Sequence, residues 1–311
     1  MFDNIKLKIC PIPKNTVLFR RIDNLNHTSE NTYQGNIKNM QISKTIDSIW
    51  IWGSLPKYLQ GENIMPLNRE KIKQGIKKLE RDTDLDLKDA IVCFAEFGTS
   101  IITKRKPFEY LDLFAHPKLL TRNESSKWYG TETVFYNTNT GSFEFIGYDK
   151  INEMLSTKKK IHIPPIFLNS NVLRLEYKIL KRRGIQAKFK RDLSAYDLFN
   201  EDIYETFKKL FLETYRDIDK MGRNVYFHKS EKLTPLKVIK LQAEQYRQSY
   251  PKEYQFFIQT AKEAGLIDKK NLQKIRAENR KYSRNVYISD QNDLIRELDA
   301  YIFDVMQYAD V

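Results

Sequence analysis

The chain has 311 residues, with 53 Lys and Arg against 40 Asp and Glu, for a formal net charge of +13. Its hydrophobic content of 41% and aromatic content of 13% exclude wholesale disorder and suffice for one large core or two smaller ones. The positive excess suits a polyanionic partner, nucleic acid first. No apolar run approaches the ~20 residues of a spanning helix, and Cys10 and Cys93 indicate neither a disulfide framework nor a thiolate zinc site. The start, Met1-Phe2-Asp3-Asn4-Ile5-Lys6, has no signal-peptide pattern, so a soluble, cytoplasmic protein with no membrane partner is expected.

Phe2 to Lys8 alternates apolar and polar residues and stops at Cys10-Pro11-Ile12-Pro13, which predicts a first strand. The stretch from there to Asn39 reads as polar and irregular. Ile46 to Trp52 predicts another strand with Trp50 and Trp52 on one parity; sheet-face packing is their simplest role and base stacking the alternative. Asn68 is a good N-cap, and Ile72, Ile76 and Leu79 follow at helical spacing with lysines opposite, predicting an amphipathic helix over 68–82. Ala90 to Phe97 is a mostly apolar run interrupted by Glu96, a carboxylate that is costly there unless paired or metal-bound.

Thr131 to Tyr136 and Ser142 to Tyr148, joined by Asn137-Thr138-Asn139-Thr140-Gly141, predict a hairpin that delivers Tyr148 at its exit. Ile151, Met154 and Leu155 suggest a short helix within 149–160. Leu173, Leu175, Tyr177 and Ile179 then alternate with Arg174, Glu176 and Lys178, giving one apolar face and one charged face on which a site can be built. From Ser194 the period becomes helical through Leu198, Ile203, Phe207, Leu210, Phe211 and Ile218, ending at Gly222, with further helices expected at 234–248, 251–264, 270–283 and 291–306. The expected fold class is α+β: an antiparallel-sheet domain with flanking helices over 1–190, followed by a mainly α-helical C-terminal domain over 191–311.

The triplet Tyr148-Asp149-Lys150 carries the chemistry of interest. A phenol needs a nearby cation or metal to favour its phenolate at neutral pH, and Lys150 can supply that charge or meet a phosphate. A turn with a solvated lysine is the plain alternative. Glu176 is open to two roles, ligand of a hard divalent ion or partner in a cross-strand ion pair, and Arg174 to phosphate binding or a salt bridge with Glu96 or Glu176. Basic residues flank this strand at Lys158-Lys159-Lys160 and at Lys181, Arg182, Arg183, Lys188, Lys190 and Arg191, with Tyr177 and Phe189 interleaved. Tyr177, Tyr196 and Tyr204 are rival nucleophiles. His27, His116, His162 and His228 are far apart in sequence and form no His-x-His pair.

Four short elements stand in order: Tyr58-Leu59-Gln60-Gly61-Glu62-Asn63-Ile64, Ala95-Glu96-Phe97-Gly98-Thr99-Ser100, Gly147-Tyr148-Asp149-Lys150 and Val172-Leu173-Arg174-Leu175-Glu176-Tyr177-Lys178. In that order and rough spacing, over roughly Tyr58 to Gly184, the chain resembles the replication initiators of filamentous phages, the gene II/X family, and related rolling-circle Rep endonucleases of phages and plasmids. The resemblance implies a nick in one strand of origin DNA, a 5′-phosphotyrosine intermediate, a 3′ hydroxyl that primes synthesis, and rejoining of the displaced strand. It implies Tyr148 and Lys150 as catalytic residues, with Glu96 and Glu176 holding Mg2+ or Mn2+. Arg174, Lys178, Lys181, Arg182, Arg183, Lys188, Lys190 and Arg191 would then contact DNA. Single-stranded or supercoiled origin DNA is the implied partner, in a bacterial cytoplasm with host helicase and polymerase. Many nickases of the wider group hold metal with a His-x-His pair, which this chain lacks. The competing expectation is a non-enzymatic, sequence-specific DNA binder, with 251–283 as a helix-turn-helix-like pair carrying Lys269, Lys270, Lys274, Arg276, Arg280 and Lys281.

Overall fold

The computed structural model describes residues 1–12, 23–29, 32–114, 121–127, 130–138, 140–156, 163–218, 220, 225–227, 234–283, 286–288 and 293–308. The chain divides into two compact units, Met1–Lys220 together with the chain from Leu298, and Met221–Glu297. In chain order the first unit has strands β1 Phe2–Ile9, β2 Asp23–Ser29, β3 Thr32–Ile37, β4 Met40–Lys44 and β5 Ile49–Ser54, then helices α1 Leu55–Gln60 and α2 Arg69–Thr83. Strand β6 Ile91–Thr103, helix α3 Pro107–Leu111 and strands β7 Thr121–Lys127, β8 Gly130–Asn137 and β9 Phe143–Asp149 follow. Helix α4 Lys150–Ser156, strand β10 Asn171–Ile179 and helices α5 Arg182–Phe189 and α6 Glu201–Asp217 complete the run. The fold is α+β, a ten-stranded antiparallel sheet in the order β2-β3-β4-β5-β1-β6-β10-β9-β8-β7 with flanking helices and a helical C-terminal part.

One face of this sheet is the core, as the alternation predicts. Ile5, Leu7, Ile49, Ile51, Val92, Ala95, Phe97, Leu173, Leu175, Tyr177 and Phe145 are buried. Helix α6 lies on that face. Its N-cap Asn200 accepts from the Ile203 amide, and its Phe207 and Phe211 close an aromatic cluster in which ring centroids lie 4.7 Å (Phe2–Phe207) and 5.2 Å (Phe2–Phe97) apart. The boundary expected at residue 190 is therefore displaced to 220, because α6 supplies the core of the sheet unit. Asn68 caps α2 through the Lys71 amide, and Ile72, Ile76 and Leu79 are buried.

On the opposite face Asn4, Lys6, Lys8, Trp50, Trp52, Phe94 and Lys178 stay partly exposed. At one end of it, Val172, on the same side of β10 as Arg174, joins Ile64, Met154, Ile163 and Phe167 in a small apolar cluster.

The expectation of an irregular stretch up to Asn39 is corrected by β2 and β3. These polar strands at one end of the sheet pair through backbone, and in β3 only Gly35 and Ile37 are buried, so no apolar alternation marked them. The second strand starts at Ile49; Ile46 lies before it and is exposed. The second unit contains β11 Val225–Phe227, α7 Pro235–Ser249, α8 Pro251–Glu263, α9 Lys269–Ser283 and β12 Val286–Ile288, and α10 Asp293–Tyr308 follows. Helix α7 packs on α8 and α9, Lys240 meets Glu278 at 3.0 Å, and β11 pairs with β12, strands too short to show a period. Among the described residues no helix is long and apolar enough to cross a membrane.

Candidate active site

The site is built where the adjacent strands β1, β6, β10 and β9 meet. Between the pairs Phe2 with Phe97 and Ile5 with Ala95, β1 carries one residue more than β6. This bulge brings Asp3 and Asn4 to the same side as Glu96, whereas strict alternation would have sent Asp3 into the core with Ile5 and Leu7. Asn4 Nδ2 donates to both Glu96 oxygens at 3.2 Å. Asp3 is buried and accepts from Ser54 Oγ at 2.5 Å, Asn63 Nδ2 at 2.8 Å and Arg174 at 3.0 Å.

Gly98 stands opposite Glu176, and a Cβ there would lie 2.4 Å from the Leu175 carbonyl oxygen, so only glycine lets these strands approach. Arg174, 1% exposed, spans the cluster: its Nε donates to Glu176 Oε1 at 3.0 Å, one terminal nitrogen to Asp3 and the other to Ser100 Oγ at 3.2 Å. Lys178 lies at the rim, 3.1 Å from Glu176 and 3.5 Å from Glu96.

Tyr148 completes the arrangement. It sits opposite Arg174 on β9, and its hydroxyl donates to Glu176 Oε1 at 2.7 Å. Strand β9 ends at Asp149 and α4 begins at Lys150, yet the Lys150 ammonium still lies 5.6 Å from the centre of the Tyr148 ring, buried and donating to Glu153 at 2.9 Å. A cavity of about 650 Å3 opens onto Tyr148 and Glu176; Glu132, Asp149, Glu153 and Lys178 also line it.

Protonation in the cluster is uneven. Burial, then the charges of Glu176 and Asp3, push the Glu96 pKa up to about 8. Burial acts on Glu176 in the same direction but is outweighed by Arg174 and Lys178, which hold it down to about 2. Burial and the negative charge of Glu176 raise the Tyr148 phenol well above its ordinary value. By itself, then, the protein does not favour a phenolate.

Asp3, Glu96 and Glu176 each offer an oxygen within 4.8 Å of the others, a buried acidic triad able to hold a metal ion. Two observations fit a hard divalent cation. The Asn63 amide that donates to Asp3 keeps its Oδ1 buried with no hydrogen-bond partner. Burial, with the neighbouring Glu176 and Asp3 charges, also raises the Glu96 pKa, a cost to its ionised form that a bound cation would offset. Oxygen donors of this kind suit Mg2+ or Mn2+. The ion-pair role open to Glu176 is realised as well, through Arg174 and Lys178.

The four short elements thus converge: Asn63, Glu96, Gly98, Ser100, Tyr148, Lys150, Arg174, Glu176 and Lys178 share one patch. Asp3 and Asn4 lie outside every motif, and the one signal pointing to Asp3 was a carboxylate in the first apolar strand. Arg174, expected on DNA, is fully buried and committed to carboxylates, so it positions the cluster and does not reach a polyanion. Lys181, Arg182, Arg183, Lys188, Lys190 and Arg191 lie beyond the end of β10, on and around α5, and are exposed. There Arg182 pairs with Asp192 and Arg191 with Asp197 at 2.8 Å, and Lys188 sits 5.0 Å from the Phe143 ring. The rival tyrosines are accounted for otherwise: Tyr177 and Tyr204 are core, and Tyr196 donates to Glu80 at 2.9 Å. Lys158-Lys159-Lys160, His116, His162, His228 and Gly222, and the side chains of His27, Arg280 and Lys281, lie outside the described residues.

No family model matches the chain, and no curated protein matches it. Among solved structures it is similar to the rolling circle replication initiator protein from Geobacillus stearothermophilus, with a TM-score of 0.35 and 11% identity over 75% of this chain and 88% of that one. A likeness this distant does not carry a function across.

Proposed function

We propose that this chain is a rolling-circle replication initiator, a metal-dependent DNA strand transferase that nicks and rejoins one strand through Tyr148. The observation that carries the reading is the Tyr148 hydroxyl, 2.7 Å from Glu176 within a triad of buried carboxylates and facing an open cavity. Nucleophilic chemistry on a phosphodiester needs an activated oxygen and charge stabilisation at phosphorus. The co-linear motifs, which all meet at this point, support the same reading.

Asp3, Glu96 and Glu176 would hold Mg2+ or Mn2+. An ion bound there supplies Lewis-acid polarisation of the phosphate and favours the phenolate. The acidic lining of the cavity, with Glu132, Asp149 and Glu153 against Lys178, makes such positive charge a requirement for a phosphodiester to enter. In the step itself, the Tyr148 oxygen bonds to phosphorus and its proton is lost to solvent through the cavity; Glu176, held low by Arg174 and Lys178, orients the hydroxyl and is too weak a base to keep that proton. The bond from phosphorus to the 3′ oxygen breaks, and that oxygen takes a proton from solvent and leaves as a hydroxyl. Attack by a 3′ hydroxyl on the phosphotyrosine reverses the step and rejoins the strand. Lys150 fixes the tyrosine ring, and Arg174 holds Asp3 and Glu176 in place.

The test is covalent capture. Protein incubated with a pool of random single-stranded oligonucleotides in Mg2+ or Mn2+ is run on a denaturing gel and the modified residue mapped. An adduct on Tyr148, absent with EDTA and in Tyr148→Phe, is expected. An adduct that persists in Tyr148→Phe, or none with either metal, overturns the reading.

A second reading, sequence-specific binding without chemistry, draws on the second unit. Helices α8 and α9 are joined through Gly265, at φ +72°, and Lys269, Lys270, Lys274 and Arg276 are exposed. Such a protein would shift duplex DNA equally with and without divalent ions and form no adduct.

A further inference from the structure

The tryptophan pair on the open face is not used by the chemistry above. Trp50 and Trp52 stand directly across from Lys8 and Lys6 in the pairing of β5 with β1. Lys6 Nζ lies 4.7 Å from the Trp50 ring centre and 5.5 Å from that of Trp52, while Lys8 Nζ lies 5.3 Å from Trp50. On the other side of β1, Phe94 is paired with Lys6. All five residues are partly exposed, whereas their neighbours Ile5, Leu7, Ile49, Ile51 and Val92 are buried. The strands thus present three partly exposed aromatic rings and two ammonium groups on one side of the sheet.

The position of this patch is informative. Along β1, Lys6 is two residues from Asn4, which holds Glu96. Across the sheet, Lys178 is paired with Glu96, and Arg174 with Tyr148. From strand spacing and rise, Trp52 lies roughly 28 Å and Trp50 roughly 33 Å from Tyr148, with Lys178 between them. A binding groove for ~4–16 unpaired nucleotides covers such a distance. Flat rings accept base faces without regard to sequence, and the lysines that now cover those rings can move to the phosphates as bases take their place. A duplex keeps its base faces stacked and cannot use the rings.

We propose that Trp50, Trp52, Phe94, Lys6 and Lys8 form a stacking platform for unpaired DNA, and that this platform leads the strand across the sheet face to Tyr148. The choice of DNA rests on the strand-transferase reading; the platform itself rests on the geometry of the open face.

The experiment measures binding without chemistry. Full-length Tyr148→Phe protein in EDTA is titrated with a fluorescein-labelled 12-nucleotide oligo(dT), followed by anisotropy. A parallel titration in a Trp128→Phe background follows quenching of the two remaining tryptophans. Each of Trp50→Ala and Trp52→Ala is expected to weaken binding about 5- to 100-fold, with Trp52→Phe recovering most of the loss. Lys6→Gln with Lys8→Gln is expected to lower the salt dependence and keeps the test sound where a tryptophan variant fails to fold. Binding within twofold of the parent in folded Trp50→Ala and Trp52→Ala proteins overturns the platform. Equal or tighter binding of a 12-base-pair duplex, or of oligo(U), overturns its assignment to unpaired DNA. Because no adduct is required, loss of nicking chemistry leaves this result standing, and loss of the platform leaves the adduct assay interpretable.

Discussion

Two strongly charged regions of the sheet unit behave in opposite ways. Asp3, Glu96, Arg174 and Glu176 are buried together; burial and its acidic neighbours push Glu96 up to about 8, while Arg174 and Lys178 hold Glu176 down to about 2. Around α5, Lys181, Arg182, Arg183, Lys188, Lys190 and Arg191 face water, and Arg182 and Arg191 form simple pairs with Asp192 and Asp197. Water screens the second group and not the first. Dense charge in the sequence therefore marks two different things, a cluster whose members control each other and a surface that attracts a polyanion.

The sharpest way to break this contrast is at Tyr148. Tyr148→Phe is expected to lower adduct yield at least ~10³-fold, while the lost hydrogen bond to the ionised Glu176 costs ~1.5–3 kcal/mol of stability. Adduct gels and urea titrations on the same preparation check both, and a variant inactive only because it unfolds would remove Tyr148 from the chemistry. Next, Arg174→Ala leaves Asp3 buried without its cation and Glu176 with Lys178 alone, and should destabilise by ~3–5 kcal/mol. Arg182→Ala, in the exposed group, should cost at most ~1 kcal/mol. Urea midpoints of the two variants compare the regions directly.

The pH response sharpens it further. Because the folded pKa of Glu96 is raised above that of the unfolded chain, its contribution is fully present below pH ~4.5 and is lost as pH rises through about 8. In EDTA the protein should therefore lose stability, on the order of a few kcal/mol, between pH 5 and 8.5, and Glu96→Gln should flatten that slope. With Mg2+ or Mn2+ added the sign of the ion's effect is opposite: binding favours the ionised carboxylate, so added stabilisation should grow over the same range. The smallest effect belongs to the exposed group. Lys188→Ala with Lys190→Ala should leave stability nearly unchanged and lower the salt slope of single-strand binding by ~0.7 for each phosphate contact removed.

Much of the candidate site was legible because it lies on alternating strands. In β10, period-two spacing put Arg174, Glu176 and Lys178 on one side, and an isolated carboxylate marked Glu96 in an apolar strand. Asp3 was not legible, since its place depends on a bulge, and an extra residue in one strand is visible only against its partner. Nor was the burial of Arg174, whose partners Asp3 and Ser100 come from other strands far away in the chain. The domain boundary failed for a related reason: the helical period of 201–217 identified a helix but could not say that Phe207 and Phe211 fill the core of the sheet.

The sequence by itself determined the strongly periodic strands and helices, the antiparallel α+β class, the helical C-terminal part, and which residues share a face in β10, because these follow from local periodicity, capping and turn chemistry. Tertiary structure alone decided which charges are buried, which carboxylates meet and where α6 packs. Those outcomes depend on strand order, register and packing, all of them contacts between residues far apart in the chain.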